Sequence, residues 1–231
     1  MKLPFDGERA ERCLVRVMVG RHAAAMGFRL GDDDLIATAC HCLPCVDGKM
    51  VLPDPNDPGA PIPLRVREWS NRETFTALVV AADPCGDLAL VSDSTRSGCD
   101  LSPTLQEPYW ELLTRLEPAI PDLTPSSAKD KPVFLFTHTG KWLKGSAFHE
   151  SITLENPRER IRPGTSGAPV FNEQGMVLGV VSTGTLGQPE GRMALLADYL
   201  PGWALHDLRP RTFKRVTERR HRRSAGSPRR Q

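Results

Sequence analysis

The 231-residue chain has few aromatic residues and no long hydrophobic segment. Phe, Trp and Tyr make up 6% of the residues, and no stretch approaches the ~18 consecutive apolar residues of a membrane-spanning helix. The N-terminus lacks the apolar core of a secretory signal. The composition also excludes collagen-like, coiled-coil and fully disordered chains. We therefore expect a cytoplasmic globular protein without a membrane span, made of one large domain or two small joined ones.

Cysteine is absent from the second half of the chain. The six cysteines all lie within the first 99 residues: Cys13, Cys40, Cys42, Cys45, Cys85 and Cys99. A secreted disulfide scaffold would spread its cysteines through the fold, so free thiols are expected. Three of them lie close to His41, which suggests zinc, but the second ligand cluster that zinc sites usually pair across a loop is missing. We predict no metal and no cofactor.

Acidic residues are almost absent from the end of the chain. Residues 209–231 carry ten Lys or Arg and one acid, Glu218, so this segment has a charge of +9. Residues 1–208 have a charge of −7, which the net charge of +2 conceals. Such a tail is typical of disorder and solubility. Its charge would also suit contact with an acidic partner, a nucleic acid or an anionic membrane.

Proline and glycine, by contrast, are abundant and favour a turn-rich β protein over a helix bundle. Short β-rich segments recur without βαβ alternation or an internal repeat, which predicts a sandwich or barrel. The predicted strands are 13–19, 26–30, 35–39, 63–68, 75–81, 88–91, 133–137, 142–148, 151–155, 169–171, 176–183 and 192–196. Between them, a long loop is predicted at 44–63, a helix at 109–116 in a proline-rich linker, and a short terminal helix at 199–208.

Three segments carry residues suited to nucleophilic catalysis. His41 follows a predicted strand, Asp87 precedes one, and Ser166 lies between glycines. A serine hydroxyl needs a neutral imidazole to take its proton and a carboxylate to orient that imidazole. Gly164 allows a backbone turn that points its own N–H and that of Ser166 at a developing oxyanion. Asp83 is the alternative acid, but the strand that follows Asp87 favours Asp87.

These segments resemble those of the trypsin-like, chymotrypsin-fold serine proteases, which share the chain order His, Asp, Ser. Thr-Ala-Cys-His-Cys at 38–42 resembles the family's Thr-Ala-Ala-His-Cys, and Asp-Leu-Ala-Leu at 87–90 resembles its Asp-hydrophobic-Ala-Leu. Gly-Thr-Ser-Gly-Ala-Pro at 164–169 resembles its Gly-x-Ser-Gly-Gly-Pro. The resemblance covers residues 12–205.

The resemblance implies an all-β fold of two antiparallel six-stranded β-barrels with a short C-terminal helix. The implied division is 1–105 for the N-terminal barrel, 106–127 for the linker, 128–208 for the C-terminal barrel and 209–231 for the basic tail. It assigns catalytic roles to His41, Asp87 and Ser166, the oxyanion hole to Gly164 and Ser166, and substrate binding to Ser182, Gly184 and Gly191. The two pocket glycines imply a specificity pocket open enough for a side chain.

Several residues depart from the family pattern. Thr165 replaces the Asp that pairs with a new N-terminus in digestive trypsins, so a zymogen switch is not expected. The motif is closer to HtrA-like and bacterial stand-alone peptidases, although the signal and PDZ domain of the HtrA branch are missing. The base of the specificity pocket falls at Arg160, either pointing inward and favouring acidic substrates or lying on the surface. Cys42 has no cysteine partner near Met26 and is expected to be a buried free thiol.

We therefore predict a serine endopeptidase that cleaves protein or peptide substrates through an acyl-enzyme. Control would come from a regulatory protein partner or from substrate-induced assembly of the oxyanion hole. Cytoplasmic modules of this kind resemble effectors of bacterial signalling and defence. The alternative is a catalytically silent trypsin-like barrel that binds protein or nucleic acid through its basic tail.

Overall fold

The computed structural model of the protein describes residues 1–19, 22–46, 49–52, 62–94, 100–124, 130–184 and 188–208. The basic tail and Cys99 therefore lie outside the described residues. The described chain is built mainly from short antiparallel strands that form two closed barrels.

The described residues of the first half of the chain form eight strands. They are β1 (Leu14–Val19), β2 (His22–Leu30), β3 (Leu35–Ala39), β4 (Cys45–Val46), β5 (Lys49–Met50), β6 (Pro63–Glu68), β7 (Thr74–Asp83) and β8 (Leu88–Ser92). Six of them close into a barrel in the order β1-β2-β3-β8-β7-β6, while β4 and β5 form a separate two-stranded sheet within the predicted 44–63 loop. Every residue of β3 and β8 is buried, so these two paired strands form a rigid support for whatever follows β3 and precedes β8.

The second half forms another closed barrel of six strands. They are β9 (Lys131–Phe136), β10 (Trp142–Phe148), β11 (Ser151–Leu154), β12 (Pro169–Phe171), β13 (Val177–Gly184) and β14 (Glu190–Leu195). The order around the barrel is β10-β11-β14-β13-β12-β9. β11 alternates exposed and buried residues, as expected for a strand with one face on a core. The prediction of two antiparallel six-stranded barrels is confirmed.

Four short helices accompany the barrels: α1 (Gly7–Glu11), α2 (Pro103–Arg115), α3 (Leu196–Tyr199) and α4 (Gly202–Leu208). None of the helices in the described ranges is long and apolar enough to cross a membrane. α2 starts at 103 rather than at the predicted 109, because a proline is well tolerated in the first turn of a helix. The predicted C-terminal helix is divided into α3 and α4, since the segment between them contains Pro201, which has no backbone N–H to continue a helix.

α2 is held against the first barrel by an arginine of β2. Its buried residues are Tyr109, Leu112 and Leu113. Arg29 Nη1 donates to the carbonyls of Leu113 and Leu116 at 2.9 and 2.8 Å, which satisfies two acceptors at the end of the helix. Part of the proline-rich stretch between the barrels, helix α2, therefore packs on the surface of the first barrel.

The N-terminal segment packs against the second barrel before the chain enters the first. The Phe5 ring contacts those of Phe134, Trp142 and Phe171 at centroid distances of 5.6, 5.7 and 5.6 Å. Trp142 Nε1 donates to Glu11 Oε1 at 2.8 Å. These contacts hold the start of the first barrel against the second barrel. The segment, including α1, has too little periodicity to be predicted from sequence.

Candidate active site

His41 and Asp87 form a closely bonded pair at one end of the first barrel. Ala39, the last residue of β3, pairs with Leu88, the first residue of β8, so the residues just beyond them meet. His41 Nδ1 lies 2.7 Å from Asp87 Oδ2, and the backbone N–H of His41 donates to Asp87 Oδ1 at 2.8 Å. A carboxylate in this position favours the tautomer with the proton on Nδ1 and leaves Nε2 as a proton acceptor.

Asp87 is held in a backbone conformation that L residues seldom adopt. Its φ is 54°, a region that Asp tolerates better than most residues. The Asp87 carbonyl accepts the N–H of Cys40 at 3.1 Å, and its Oδ2 accepts the hydroxyl of Ser182 at 2.5 Å. Burial acts to raise the pKa of Asp87, but the hydrogen bonds from His41 and Ser182 lower it below its usual value. The carboxylate is therefore ionised at neutral pH.

Asp83, the alternative acid, has a different role. Its Oδ1 accepts the backbone N–H groups of Cys85 and Gly86 at 2.9 and 3.0 Å. It thus caps the turn that leads from β7 to Asp87, and the carboxylate that bonds His41 is that of Asp87.

Ser166 is joined to the first barrel through its backbone. The Ser166 carbonyl accepts the N–H of Met26 in β2 at 2.8 Å. The next residue, Gly167, has φ +85°, and a Cβ there would lie 1.8 Å from Met26 O and 2.6 Å from Thr38 Oγ1. Thr38 lies three residues before His41, and its hydroxyl donates to Met26 O at 2.7 Å. The two barrels therefore meet at Ser166, and only glycine fits beside it.

Ser166 is bonded to β2, which pairs with β3, and His41 follows β3 along the chain. Among the hydrogen bonds of the described residues, none joins Ser166 Oγ to His41. Ser166 is half-buried and His41 is exposed, so both can be reached by a substrate. Catalytic hydrogen bonds are often long without substrate and tighten in the Michaelis complex.

The loop before Ser166 leaves two backbone N–H groups without a partner. Thr165 N–H donates to Arg162 O at 3.1 Å, whereas within the described residues neither Gly164 N–H nor Ser166 N–H donates to any acceptor. Gly164 has φ +91°, which glycine adopts without strain. The N–H groups of Gly164 and Ser166, on either side of the bonded N–H of Thr165, can therefore both donate to an oxyanion.

His138 supports this loop from the turn between β9 and β10. A Cβ on Gly164 would lie 3.3 Å from His138 Cγ, and His138 Nδ1 is 3.1 Å from the hydroxyl of the fully buried Thr165. Burial and the nearby charges of Arg16 and Arg162 lower the pKa of His138, which keeps the ring neutral at neutral pH. No motif surrounds His138 in the sequence, so only the fold reveals this contact.

Cys42 is the second side chain, after Asp87, that acts on the general-base candidate. The hydrogen bond to Asp87 and the neighbouring Cys42 side chain raise the pKa of His41 to about 10. Five cysteines in the described part of the chain are free thiols: Cys13, Cys40, Cys42, Cys45 and Cys85. Cys40 donates instead to Met50 Sδ at 3.4 Å. Within the described ranges no group of three or more His, Cys, Asp or Glu side chains is placed to hold a metal ion.

The glycines assigned to the specificity pocket face a side chain rather than open space. Gly184 and Gly191 are paired residues of β13 and β14. A Cβ on Gly184 would lie 2.8 Å from Ile161 O, and one on Gly191 would lie 2.6 Å from Ile161 Cδ1. Arg160 turns toward its own loop, because its Nη1 donates to the carbonyls of Pro157 and Glu159.

The double barrel and its serine-containing cleft define the class of the protein as a chymotrypsin-like serine protease. A family model described as the trypsin-like peptidase domain matches residues 25–180, well over half of the chain. The chain therefore belongs to the trypsin-like peptidase family and is a serine endopeptidase. The matched residues include His41, Asp87 and Ser166.

Solved structures with the same fold have little sequence in common with this chain. The serine endoprotease from Yersinia pestis superposes with a TM-score of 0.54 at 15% identity, covering 90% of this chain and 68% of that one. Mouse neuropsin, a serine protease expressed in the limbic system, gives 0.54 at 13% identity, with 87% and 96% covered. The serine protease of a human pathogenic astrovirus gives 0.50 at 16%, with 83% and 94% covered. The search among curated protein sequences found no match.

Proposed function

We propose that the protein cleaves peptide bonds through a Ser166–His41–Asp87 triad and an acyl-enzyme intermediate. The observation that carries this proposal is the pair of hydrogen bonds that the Asp87 carboxylate accepts from the ring and the backbone N–H of His41, at 2.7 and 2.8 Å. The second barrel brings Ser166 to the same end of the first barrel through the Met26 N–H. An oriented imidazole beside a serine is what nucleophilic activation requires.

In the proposed reaction, Ser166 Oγ attacks the carbonyl carbon while its proton passes to His41 Nε2. The negative charge that develops on the carbonyl oxygen is stabilised by the N–H groups of Gly164 and Ser166, at about 3–4 kcal/mol per donor. His41 then gives its proton to the leaving amine, and the C–N bond breaks to leave an ester on Ser166. A water molecule, deprotonated by His41, hydrolyses that ester and restores the hydroxyl.

Asp87 stabilises the imidazolium without accepting its proton. Its lowered pKa supports this role, because the carboxylate stays charged while His41 carries the extra proton. Ser182 holds the carboxylate from the opposite barrel by its bond to Oδ2. The acid thus contacts both barrels, and its position depends on their correct docking.

The regulation we propose is assembly of the site by substrate or by a protein partner. It is supported by the missing Ser166–His41 hydrogen bond among the described residues and by the raised pKa of His41. Both lower the reactivity of the nucleophile until a ligand draws the two groups together, so the resting chain reacts slowly rather than not at all. Action in the cytoplasm belongs to the same proposal and is supported by the five free thiols of the described chain.

The proposed triad is tested by labelling with a fluorophosphonate probe, which reacts with an activated serine. We expect one adduct on the wild-type chain, located at Ser166 by mass spectrometry, and no adduct on Ser166→Ala. Ser151→Ala, at an exposed serine of β11, is the matched control and should label like wild type. The silent-barrel alternative predicts no Ser166 adduct in the wild type, and labelling that persists in Ser166→Ala would contradict our assignment.

A further inference from the structure

The crevice beside the candidate nucleophile is bounded by two segments that run side by side. Gly167 N–H donates to Val181 O at 2.7 Å, and Val181 N–H donates to Ala168 O at 2.8 Å. The loop that precedes Ser166 and the residues that follow Val181 are therefore the two walls of this crevice. We assign the side chain of the residue whose carbonyl reaches Ser166 Oγ and the two free N–H groups to the space between these walls.

Ile161 fills the space between these walls. A Cβ on Gly191 would lie 2.6 Å from Ile161 Cδ1, and one on Gly184 would lie 3.4 Å from both Ile161 Cβ and Cγ2. Only 5% of Ile161 is exposed to solvent. The two glycines are thus required by the isoleucine that packs on them, and they do not leave an empty pocket.

The neighbouring arginine, Arg160, bonds to its own loop. Arg160 Nη1 donates to the carbonyls of Pro157 and Glu159, which belong to its own loop. Ile161 is the next residue, and its side chain is apolar. Among the described residues, the side chain that closes the floor of the crevice is therefore apolar, and it leaves little depth.

We infer that Ile161 sets the substrate preference of the site by admitting only Gly or Ala immediately before the scissile bond. The inference rests on the proposed function, because it assumes that Ser166 is acylated. The physical reason is volume: a side chain of Leu, Phe or Lys would occupy the position of the Ile161 side chain, whose neighbours on both sides are backbone atoms of Gly184 and Gly191. Close-packed walls of this kind do not yield without strain.

The test uses peptidyl phosphonate esters that label an activated serine and carry Ala, Leu, Phe or Lys in the discriminating position. In the wild type we expect the Ala probe to label Ser166 more than about 100-fold faster than the Leu or Phe probe, since each methylene in such a pocket changes the rate about 10–200-fold. Ile161→Ala should raise the Leu and Phe rates at least tenfold and change the Ala rate little. Ile161→Val, which removes one methylene, should give an intermediate ratio.

Ile62→Ala provides the matched control, because Ile62 is an equally buried isoleucine, 7% exposed, in the first barrel. Its probe ranking should equal that of the wild type. A wild-type chain that reacts with the Leu, Phe or Lys probe as fast as with the Ala probe would overturn the inference. An unchanged ranking in Ile161→Ala, or in Ile161→Val if the alanine variant does not fold, would overturn it as well.

The small fluorophosphonate separates failure of the inference from failure of the proposed function. If it labels Ser166 while the peptidyl probes show no preference for Ala, the catalytic proposal stands and the assignment of Ile161 is wrong. If it does not label Ser166 at all, the proposed function is wrong, and the inference that depends on it is withdrawn with it.

Discussion

At the scale of single residues, the surroundings of His41 favour the protonated form of its ring, which cannot act as a base. Its ring bonds to the Asp87 carboxylate, and this bond and the neighbouring Cys42 side chain both stabilise the protonated form. A general base must be neutral before it can accept the proton of a serine. Since the pKa of His41 is raised from 6.5 to about 10, the neutral fraction, and with it the reactivity of Ser166, grows as the pH rises.

Cys42 is the part of this environment that can be changed without touching the proposed triad. We expect Cys42→Ala to move the midpoint of the pH–labelling profile of Ser166 to lower pH, because the imidazolium loses a neighbouring side chain that raises its pKa. The measurement is the fluorophosphonate labelling rate between pH 5 and 10.5. Cys42→Ser, which keeps an acceptor, should lie closer to the wild type.

Cys40→Ala is the control for this shift, because Cys40 is buried two residues away and its thiol contacts Met50. It should leave the midpoint where it is in the wild type. Identical midpoints for Cys42→Ala and wild type would show that the thiol does not influence His41.

The individual residues of the site differ in how far the sequence could predict them. His41, Asp87 and Ser166 stand in short motifs, so their identity as candidates follows from the sequence alone. Ile161, His138 and Cys42 act through contacts between segments distant in the chain or through a side-chain orientation, and no local pattern encodes these. The open pocket expected at Gly184 and Gly191 is an example: glycine in a sequence indicates room, but not which neighbour uses that room.

At the scale of elements, the turn after Ser166 is the most constrained contact between the barrels. Gly167 combines a left-handed φ of +85° with a backbone oxygen, that of Met26, where a side chain would begin. Relieving that overlap would move Ser166 away from β2, because the Met26 N–H bonds the Ser166 carbonyl. The turn thus couples folding of the second barrel to placement of the serine.

We therefore expect Gly167→Ala to lower the free energy of unfolding by about 3 kcal/mol or more and to abolish labelling of Ser166. Urea denaturation followed by far-UV circular dichroism measures the first effect, and the fluorophosphonate measures the second. Gly202→Ala is the matched control, since a Cβ there meets nothing within 4 Å and the residue lies in α4. It should be neutral or slightly stabilising, and equal stability of the two variants would contradict the constraint.

At the same scale, the bounds of β10 and β12 match the predicted strands 142–148 and 169–171. Buried residues alternate along β10 and are continuous in β12, and both patterns can be detected in the sequence. Strand prediction failed for β4 and β5, which have two residues each and lie in a segment rich in proline and glycine. So short a pair, with Cys45 opposite Met50, has no periodicity to detect. The domain boundaries that the resemblance implies stay predictions.

At the scale of the whole molecule, the charge is divided between the barrels and the tail. Residues 209–231 contribute +9 to a chain whose net charge is +2. α4 ends at Leu208, and its side chain packs beside Gly31 of the first barrel, where a Cβ would lie 2.4 Å from Leu208 Cδ2. A chain shortened after Leu208 therefore keeps this contact and the candidate active site.

We predict that removal of residues 209–231 abolishes salt-sensitive binding to polyanions and leaves labelling of Ser166 unchanged. The remaining chain carries −7, so it should repel a polyanion that the full chain attracts. Fluorescence anisotropy with a labelled oligonucleotide and with a poly-glutamate peptide, at 50 and 300 mM salt, measures the binding, and affinity for either ligand should fall steeply with salt in the full chain only. A variant that replaces the ten basic residues by Gln at constant length separates charge from chain length and should behave like the truncation. If the truncated chain binds polyanions as tightly as the full chain, the binding site lies on the barrels and the prediction is wrong. A loss of Ser166 labelling on truncation would contradict it as well, because the tail would then be part of the catalytic unit.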